Sequence, residues 1–181
     1  MGDVETLKAL IDQIAAAEIY ARRAHGAQID KLGAPYTGHL GRVAARARAH
    51  AEMLGLSPEI AALCAQVGWL HDVIEDCTGE DMGTLAEAGF SPEVCENVDW
   101  LSRNGATWGD GEPFYSDWIE WICRHTSVAA IIVKLADTED NLDPARSLKG
   151  PNKLWQRYEA SVVKLRAALI AQAEQGASHG E

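Results

Sequence analysis

The sequence predicts an all-α fold, a single helical bundle over residues 1–181. Three observations carry that expectation. Apolar residues recur at intervals of three and four in segment after segment, the spacing that gives a helix one apolar face. Ser-Pro-Glu occurs at 57–59 and again at 91–93, each time just ahead of such a segment. It supplies a serine cap, a proline at the first helical position and an acid in the first turn. No run shows the alternation of period two that a half-buried strand requires.

Residues near 3 to 26 form the first helix, with Leu7, Leu10, Ile11, Ile14, Ala17, Ala21 and Ala24 on one stripe and Asp3 as its cap. Gly26 to Gly38 interrupts it, punctuated by Gly33 and Pro35. A second helix runs from about His39 to Leu54 and stops at Gly55. The third starts at Ser57, lays Ile60, Leu63, Cys64, Val67 and Leu70 along one face, and delivers His71 and Asp72 at its end. A short helix near Asp81 to Ala88 ends at Gly89, and Ser91 opens another with Val94, Cys95, Val98 and Leu101 as its core stripe. Asn104 to Pro113, with three glycines and Trp108, is a loop, read equally as a lid or as a surface connection. Phe114 to Arg124 is amphipathic, and its Trp118, Trp121 and Ile122 read as core. Val128 to Ala136 is apolar nearly all round, hence a buried central helix with Lys134 and Asp137 at its end. Asn152 to about Gln172 carries Leu154, Trp155, Tyr158, Val162, Leu165 and Leu169, and a polar tail over 173–181 frays.

A chain of 181 residues, 47% hydrophobic and 24% charged, is long enough to bury a real core in one domain. The net charge of −11 and the lack of a basic stripe exclude a nucleic-acid polymer as partner. A small anionic substrate then needs a metal and local Lys or Arg. Cys64, Cys77, Cys95 and Cys123 stand far apart with no C-x-x-C pair, and Cys64, Cys95 and Cys123 read as buried thiols in a reducing compartment. Asp3, Glu5 and Asp12 rule out a signal peptide, and no apolar run reaches the ~18 residues of a membrane span. The expectation is a cytoplasmic protein without a membrane partner, with a homo-oligomer left open.

The stretch with the most chemistry is Trp69-Leu70-His71-Asp72-Val73-Ile74-Glu75-Asp76. At helical spacing His71 lies four residues from Glu75, Asp72 four from Asp76 and three from Glu75, so four polar groups crowd one helix end beside apolar neighbours. Burying carboxylates there costs several kcal/mol unless a cation or donors compensate. A divalent metal is the natural compensation, since imidazole with carboxylate suits Zn, Fe or Mn. A solvated acidic patch at a helix end is the plainer alternative, and what lies elsewhere decides between them. His39 starts one helix, His71-Asp72 ends another, and Asp137 ends the buried one.

This order, H … HD … D, resembles the HD-domain metal-dependent phosphohydrolases, most closely the (p)ppGpp hydrolases related to RelA/SpoT. The marks are His25-Gly26-Ala27-Gln28, then Lys31-Leu32-Gly33-Ala34-Pro35-Tyr36 leading to His39, then Trp69 to Thr78, and Val133-Lys134-Leu135-Ala136-Asp137-Thr138-Glu139-Asp140-Asn141-Leu142. Together they span about residues 18–145. The resemblance implies an HD-type bundle with one Mn²⁺ held by His39, His71, Asp72 and Asp137. It implies Glu75 and Asp76 as the groups that orient or deprotonate a water, and Asn141 holding ribose or phosphate. Lys31, Lys134 and Arg103 would offset phosphate charge. The implied reaction removes the 3′-pyrophosphate from (p)ppGpp. The chain departs from the family where Asp30 replaces an Arg thought to stack on the purine, Leu40 a Pro, Thr138 an Arg and Pro144 a Thr. Two other readings therefore stay open: an HD hydrolase of another nucleotide or phosphate ester, and a non-catalytic nucleotide-binding module. Of the remaining histidines, His25 either braces the site or ends a helix, His50 and His179 are placed at the surface, and His125 is a candidate for a second metal.

Overall fold

The computed structural model of the chain describes residues 2–103, 114–144 and 152–178. The expected loop at 104–113 with Trp108, and His179, lie outside them. The described residues are helical: α1 Gly2–His25, α2 Thr37–Met53, α3 Pro58–Leu70, α4 Val73–Asp76, α5 Met82–Glu87, α6 Pro92–Leu101, α7 Tyr115–His125, α8 Val128–Asn141 and α9 Lys153–Ser178. Extended pairing among them is limited to one isolated bridge between Ile29 and Pro35. Ser57 and Ser91 cap where the sequence puts them, whereas Asp3, the expected cap of the first helix, lies within the first turn of α1. Ser57, Ser91 and Ser127 each accept from a backbone N–H in the first turn of α3, α6 and α8, and Asp81 forms a capping box with Thr84.

Helix α3 is the centre, packed on α1, α2 and α8. Nearly every side chain from Ala61 to Leu70 is buried, a helix apolar all round as an interior helix must be. Its approach to α2 is set by small residues. A Cβ built on Gly68 would stand 2.6 Å from Ala44 Cα, so only glycine lets the two backbones come this close. Burial of α8 likewise runs along its whole length, from Ala129 to Asp140. Asp137 therefore sits inside α8, which continues to Asn141, instead of at its end.

Three other expectations change. Leu7 and Ile11 are 51% and 53% exposed, so α1 is buried only from Ala17 onward. The last helix runs on to Ser178, through residues expected to fray. His50 is half-buried and donates through Nε2 to Glu139 Oε2 at 2.8 Å. No helix among the described residues is long and apolar enough to cross a membrane.

Candidate metal centre and its cleft

Three elements deliver the ligand candidates. Leu40, Val43, Ala44 and Ala47 bury one face of α2, and His39 precedes them on that face, 2% exposed. Helix α3 ends at Leu70, with His71 as its cap residue, and Asp72 leaves the helical region at φ −102°, ψ 0°. The single turn of α4 then restarts, with Asp76 N–H donating to Asp72 O at 2.8 Å. Helical spacing alone predicts all four polar groups at one helix end. The break between α3 and α4 instead turns Asp72 toward the two imidazoles. Asp137 comes from α8.

The four side chains meet. His71 Nε2 lies 3.1 Å from Asp72 Oδ2 and 3.8 Å from Asp137 Oδ1. His39 Nε2 lies 3.6 Å from Asp72 Oδ2 and 3.4 Å from Asp137 Oδ1. The two imidazole rings stand edge to face, 5.3 Å apart. Among the described residues, His39, His71 and Asp72 form a group whose ligand atoms all lie within 4.8 Å of one another.

The other ring nitrogens decide what faces inward. His71 Nδ1 is 2.9 Å from Gly68 O, and His39 Nδ1 is 2.8 Å from Asp140 Oδ2. A carbonyl and a carboxylate can only accept, so both Nδ1 atoms donate, and either ring, once its Nε2 carries no proton, turns that lone pair inward. His71 Nε2 is buried with no hydrogen-bond partner among the described residues. Lone pairs and carboxylate oxygens crowded within 4 Å repel unless a proton or a cation sits between them. Burial pushes His71 down in pKa, but Asp72 and Asp137 outweigh it and hold the imidazole well above its ordinary value. A field that draws a proton to this spot also suits a divalent cation, and two imidazoles with two carboxylates are a donor set for Mn, Fe or Zn.

Sequence reasoning missed two residues here. Asp140, fully buried, takes the His39 N–H on one oxygen and the Arg42 guanidinium on both, at 2.8 and 3.1 Å. Tyr36 donates its hydroxyl to Asp72 Oδ2 at 2.6 Å. Desolvation and the charge of Asp72 push this phenol far up, so it stays a donor. Both stand in the motif-bearing stretches. The signal for Asp140 was an acid three residues beyond Asp137 on a helix with no solvent face. His25 stacks on Tyr36 with ring centroids 5.2 Å apart and donates to Gln28, so it lies one ring behind Asp72. His125 bonds Trp121 O on its own helix and is no part of the cluster.

Asp72 and Asp137 stand at the floor of a cleft of ≈ 480 Å³. Glu75, Asp76, Lys31, Arg103, Lys134 and Asn141 all line it. Burial, with the negative charges of Asp72 and Glu75 beside it, pushes the Asp76 carboxyl up. Glu75 accepts from Arg103 through both its backbone N–H and its guanidinium, at 3.2 Å each. Lys134 Nζ donates to Asp137 Oδ2 at 2.8 Å and Asn141 Nδ2 to Asp137 Oδ1 at 2.6 Å, so both hold a ligand candidate in place. Lys31 is exposed at the rim. Asp30 acts locally. Its Oδ1 accepts from Leu32 N–H and Ala34 N–H at 2.9 Å and folds the turn that Gly33 completes at φ +82°. Thr138 is fully buried and bonds Lys134 O, and Leu40 is core. The remaining wall is unforeseen: Tyr115 and Trp118 of α7 with Trp155, Arg157 and Tyr158 of α9. Trp118 is core as expected, yet its ring also meets Lys134 Nζ at 4.2 Å. Trp155 and Tyr158, placed by the sequence on the stripe of the last helix, are half-buried cleft residues.

The fold class is thus the all-α bundle of the HD type. Among solved structures the chain is similar, with a TM-score of 0.62 and 22% identity, to one described as a metazoan ortholog of SpoT that hydrolyzes ppGpp and plays a role in starvation responses; the match covers 87% of this chain and 85% of that one. No family model matches the sequence, and no curated protein does.

Proposed function

We propose that this chain is an HD-type metal-dependent phosphohydrolase that removes the 3′-pyrophosphate from (p)ppGpp, leaving GDP or GTP, with Mn²⁺ as its cation and the cytoplasm as its compartment. The observation that carries this reading is the convergence of two imidazoles, each braced through Nδ1, on two carboxylates that line a nucleotide-sized cleft. The likeness in fold to a ppGpp hydrolase supports it. His39, His71, Asp72 and Asp137 would hold the cation, which when bound lowers the pKa of water and polarises a phosphate ester.

The chain's own residues do the rest. Asp76, whose carboxyl is pushed up by burial and by the charges of Asp72 and Glu75, accepts the proton of the attacking water, and Glu75, tied to Arg103, fixes that water's direction. The water oxygen bonds to the phosphorus next to the ribose as that phosphorus parts from the 3′ oxygen, and the proton taken up by Asp76 is balanced by one delivered to that oxygen, which leaves as the 3′ hydroxyl beside free pyrophosphate. Lys134 stays charged, because Asp137 outweighs the effect of burial, and with Lys31 it offsets phosphate charge. Asn141 meets the ribose or phosphate beside Asp137.

A second reading, an HD-type hydrolase of another nucleotide, is favoured by Asp30, whose carboxylate is spent on its own turn where a purine-stacking cation would stand. A non-catalytic binding module would have no use for the Glu75–Asp76 pair. The test is turnover by the Mn²⁺-loaded protein of ppGpp, pppGpp, their adenine analogues, NADPH, dNTPs and nucleoside monophosphates, with products identified. Pyrophosphate from the guanosine compounds alone is expected, and Glu75→Gln is expected to bind Mn²⁺ but lose turnover. Phosphate from another substrate would favour the second reading. Silence with Mn²⁺, Fe²⁺, Co²⁺ and Zn²⁺ would leave the binding module.

A further inference from the structure

The wall built by α7 and α9 is separate from the helices that bear the metal-ligand candidates. Its cation is Arg157, on the first turns of α9. The guanidinium carbon lies 4.1 Å from the centroid of the Tyr115 ring and 5.7 Å from that of Tyr158. Lys134 Nζ is 5.8 Å from the same Tyr115 ring. The cleft cations differ in their commitments. Arg103 is paired with Glu75 and Lys134 with Asp137, whereas Arg157 makes no ion pair among the described residues. The hydroxyl of Tyr115 is buried, again with no hydrogen-bond partner among them. An exposed guanidinium lying on a ring keeps its N–H fork directed outward in its own plane, the geometry that grips a phosphate with two parallel bonds. Desolvated aromatic neighbours sharpen that grip without competing for it.

Electrostatics say what such a fork is for. The floor of the cleft concentrates Asp72, Glu75, Asp76 and Asp137. A cation at the floor, with Lys134 and Lys31, would answer for the phosphate undergoing hydrolysis, but a second anionic group on the same molecule would still face these carboxylates and needs a donor of its own. We infer that Arg157 and Tyr115 form a second anion subsite, which takes a phosphate group at the end of the nucleotide remote from the bond being broken. This rests on the function proposed above and narrows it: the substrate is a nucleotide phosphorylated at two positions, and the subsite reads the second.

The experiment compares two substrates that differ only in the remote group, guanosine 3′-diphosphate and guanosine 3′,5′-bis(diphosphate), on the Mn²⁺-loaded protein and on Arg157→Ala and Arg157→Lys. It adds calorimetric binding of GDP, which lacks the scissile group. The wild type is expected to favour the doubly phosphorylated substrate by about tenfold in kcat/KM, mostly through KM. Arg157→Ala should shrink that ratio to below about threefold and weaken GDP by a similar factor, with Arg157→Lys in between. A ratio that survives Arg157→Ala overturns the subsite while leaving hydrolysis standing. An equal loss on both substrates assigns Arg157 to the nucleoside and also overturns it. No turnover of either compound, with GDP binding still dependent on Arg157, keeps the subsite and removes the hydrolase reading. No turnover together with no GDP binding removes both.

Discussion

His39 is held from behind by a carboxylate that never reaches the cation position. Asp140 fixes the tautomer and the plane of the ring, and Arg42, bonded to both of its oxygens, holds Asp140 still. Outer partners of this kind are worth roughly 10–100-fold in metal affinity. Asp140→Asn is therefore expected to weaken Mn²⁺ by about tenfold in a calorimetric titration while the helical circular dichroism stays unchanged. Unaltered affinity would mean that packing alone orients the ring. Asp137 provides a second residue-scale test, in the metal-free protein. Burial pushes its carboxyl up, but Lys134 and then His71 outweigh it and hold it well below the usual carboxylate range. A depressed folded-state pKa contributes stability that is complete above the ordinary carboxylate pKa of about 4 and is lost as pH falls below it toward the folded value. Urea unfolding of wild type and Asp137→Asn should thus show a gap near neutrality that closes on acidification below about pH 4. A gap independent of pH would show that the pair is not ionised in the fold.

Between elements, the contact that matters most is α2 against α3. Gly68 does two jobs: its missing side chain admits Ala44, and its carbonyl accepts the His71 N–H. Gly68→Ala must push the helices apart, because the clash is with Ala44 backbone and not with a side-chain tip. Overpacking of this sort costs about 1–3 kcal/mol, to be read from chemical denaturation. The same displacement separates His39 on α2 from His71 beyond α3, so the variant is expected to lose metal affinity together with stability. A destabilised variant that binds Mn²⁺ as tightly as before would show that the site floats free of this helix pair. Asp72 depends on a different element property. Its non-helical backbone, between α3 and α4, is what separates the ligand acid from the Glu75–Asp76 turn.

In the whole molecule, one cation would cross-link α2, the α3–α4 break and α8. A ligand bound only by the folded state stabilises it by about 2.7 kcal/mol at a hundredfold excess over Kd. Mn²⁺ is expected to raise the Tm of the wild type, chelator to reverse the rise, and Asp72→Ala to abolish it; an equal rise in that variant would place the ion elsewhere. Helices were legible in the sequence because capping and spacing are short-range rules, and the ligand candidates because their order resembles that of a known family. Serine caps and three-four spacing placed α3 and α6, a run apolar nearly all round placed α8, and the H … HD … D order named the residues that meet. Two things were illegible for one reason. Asp140 and the Trp155–Arg157–Tyr158 wall take their roles from partners far along the chain, and a stripe at helical spacing looks the same whether it faces a core or a cleft. Leu165 and Leu169 of that stripe are buried, while Trp155 and Tyr158, earlier on the same helix, are not.

That division of α9 has an evolutionary corollary. The residues proposed to hold the ion stand on α2 and α8 and at the end of α3, helices packed on one another, while the wall proposed to choose the molecule stands on α7 and on the exposed start of α9. Drift along α9 can retune which metabolite is accepted at little cost to folding or to the ion, so descendants of one such ancestor should share a reaction and differ in diet.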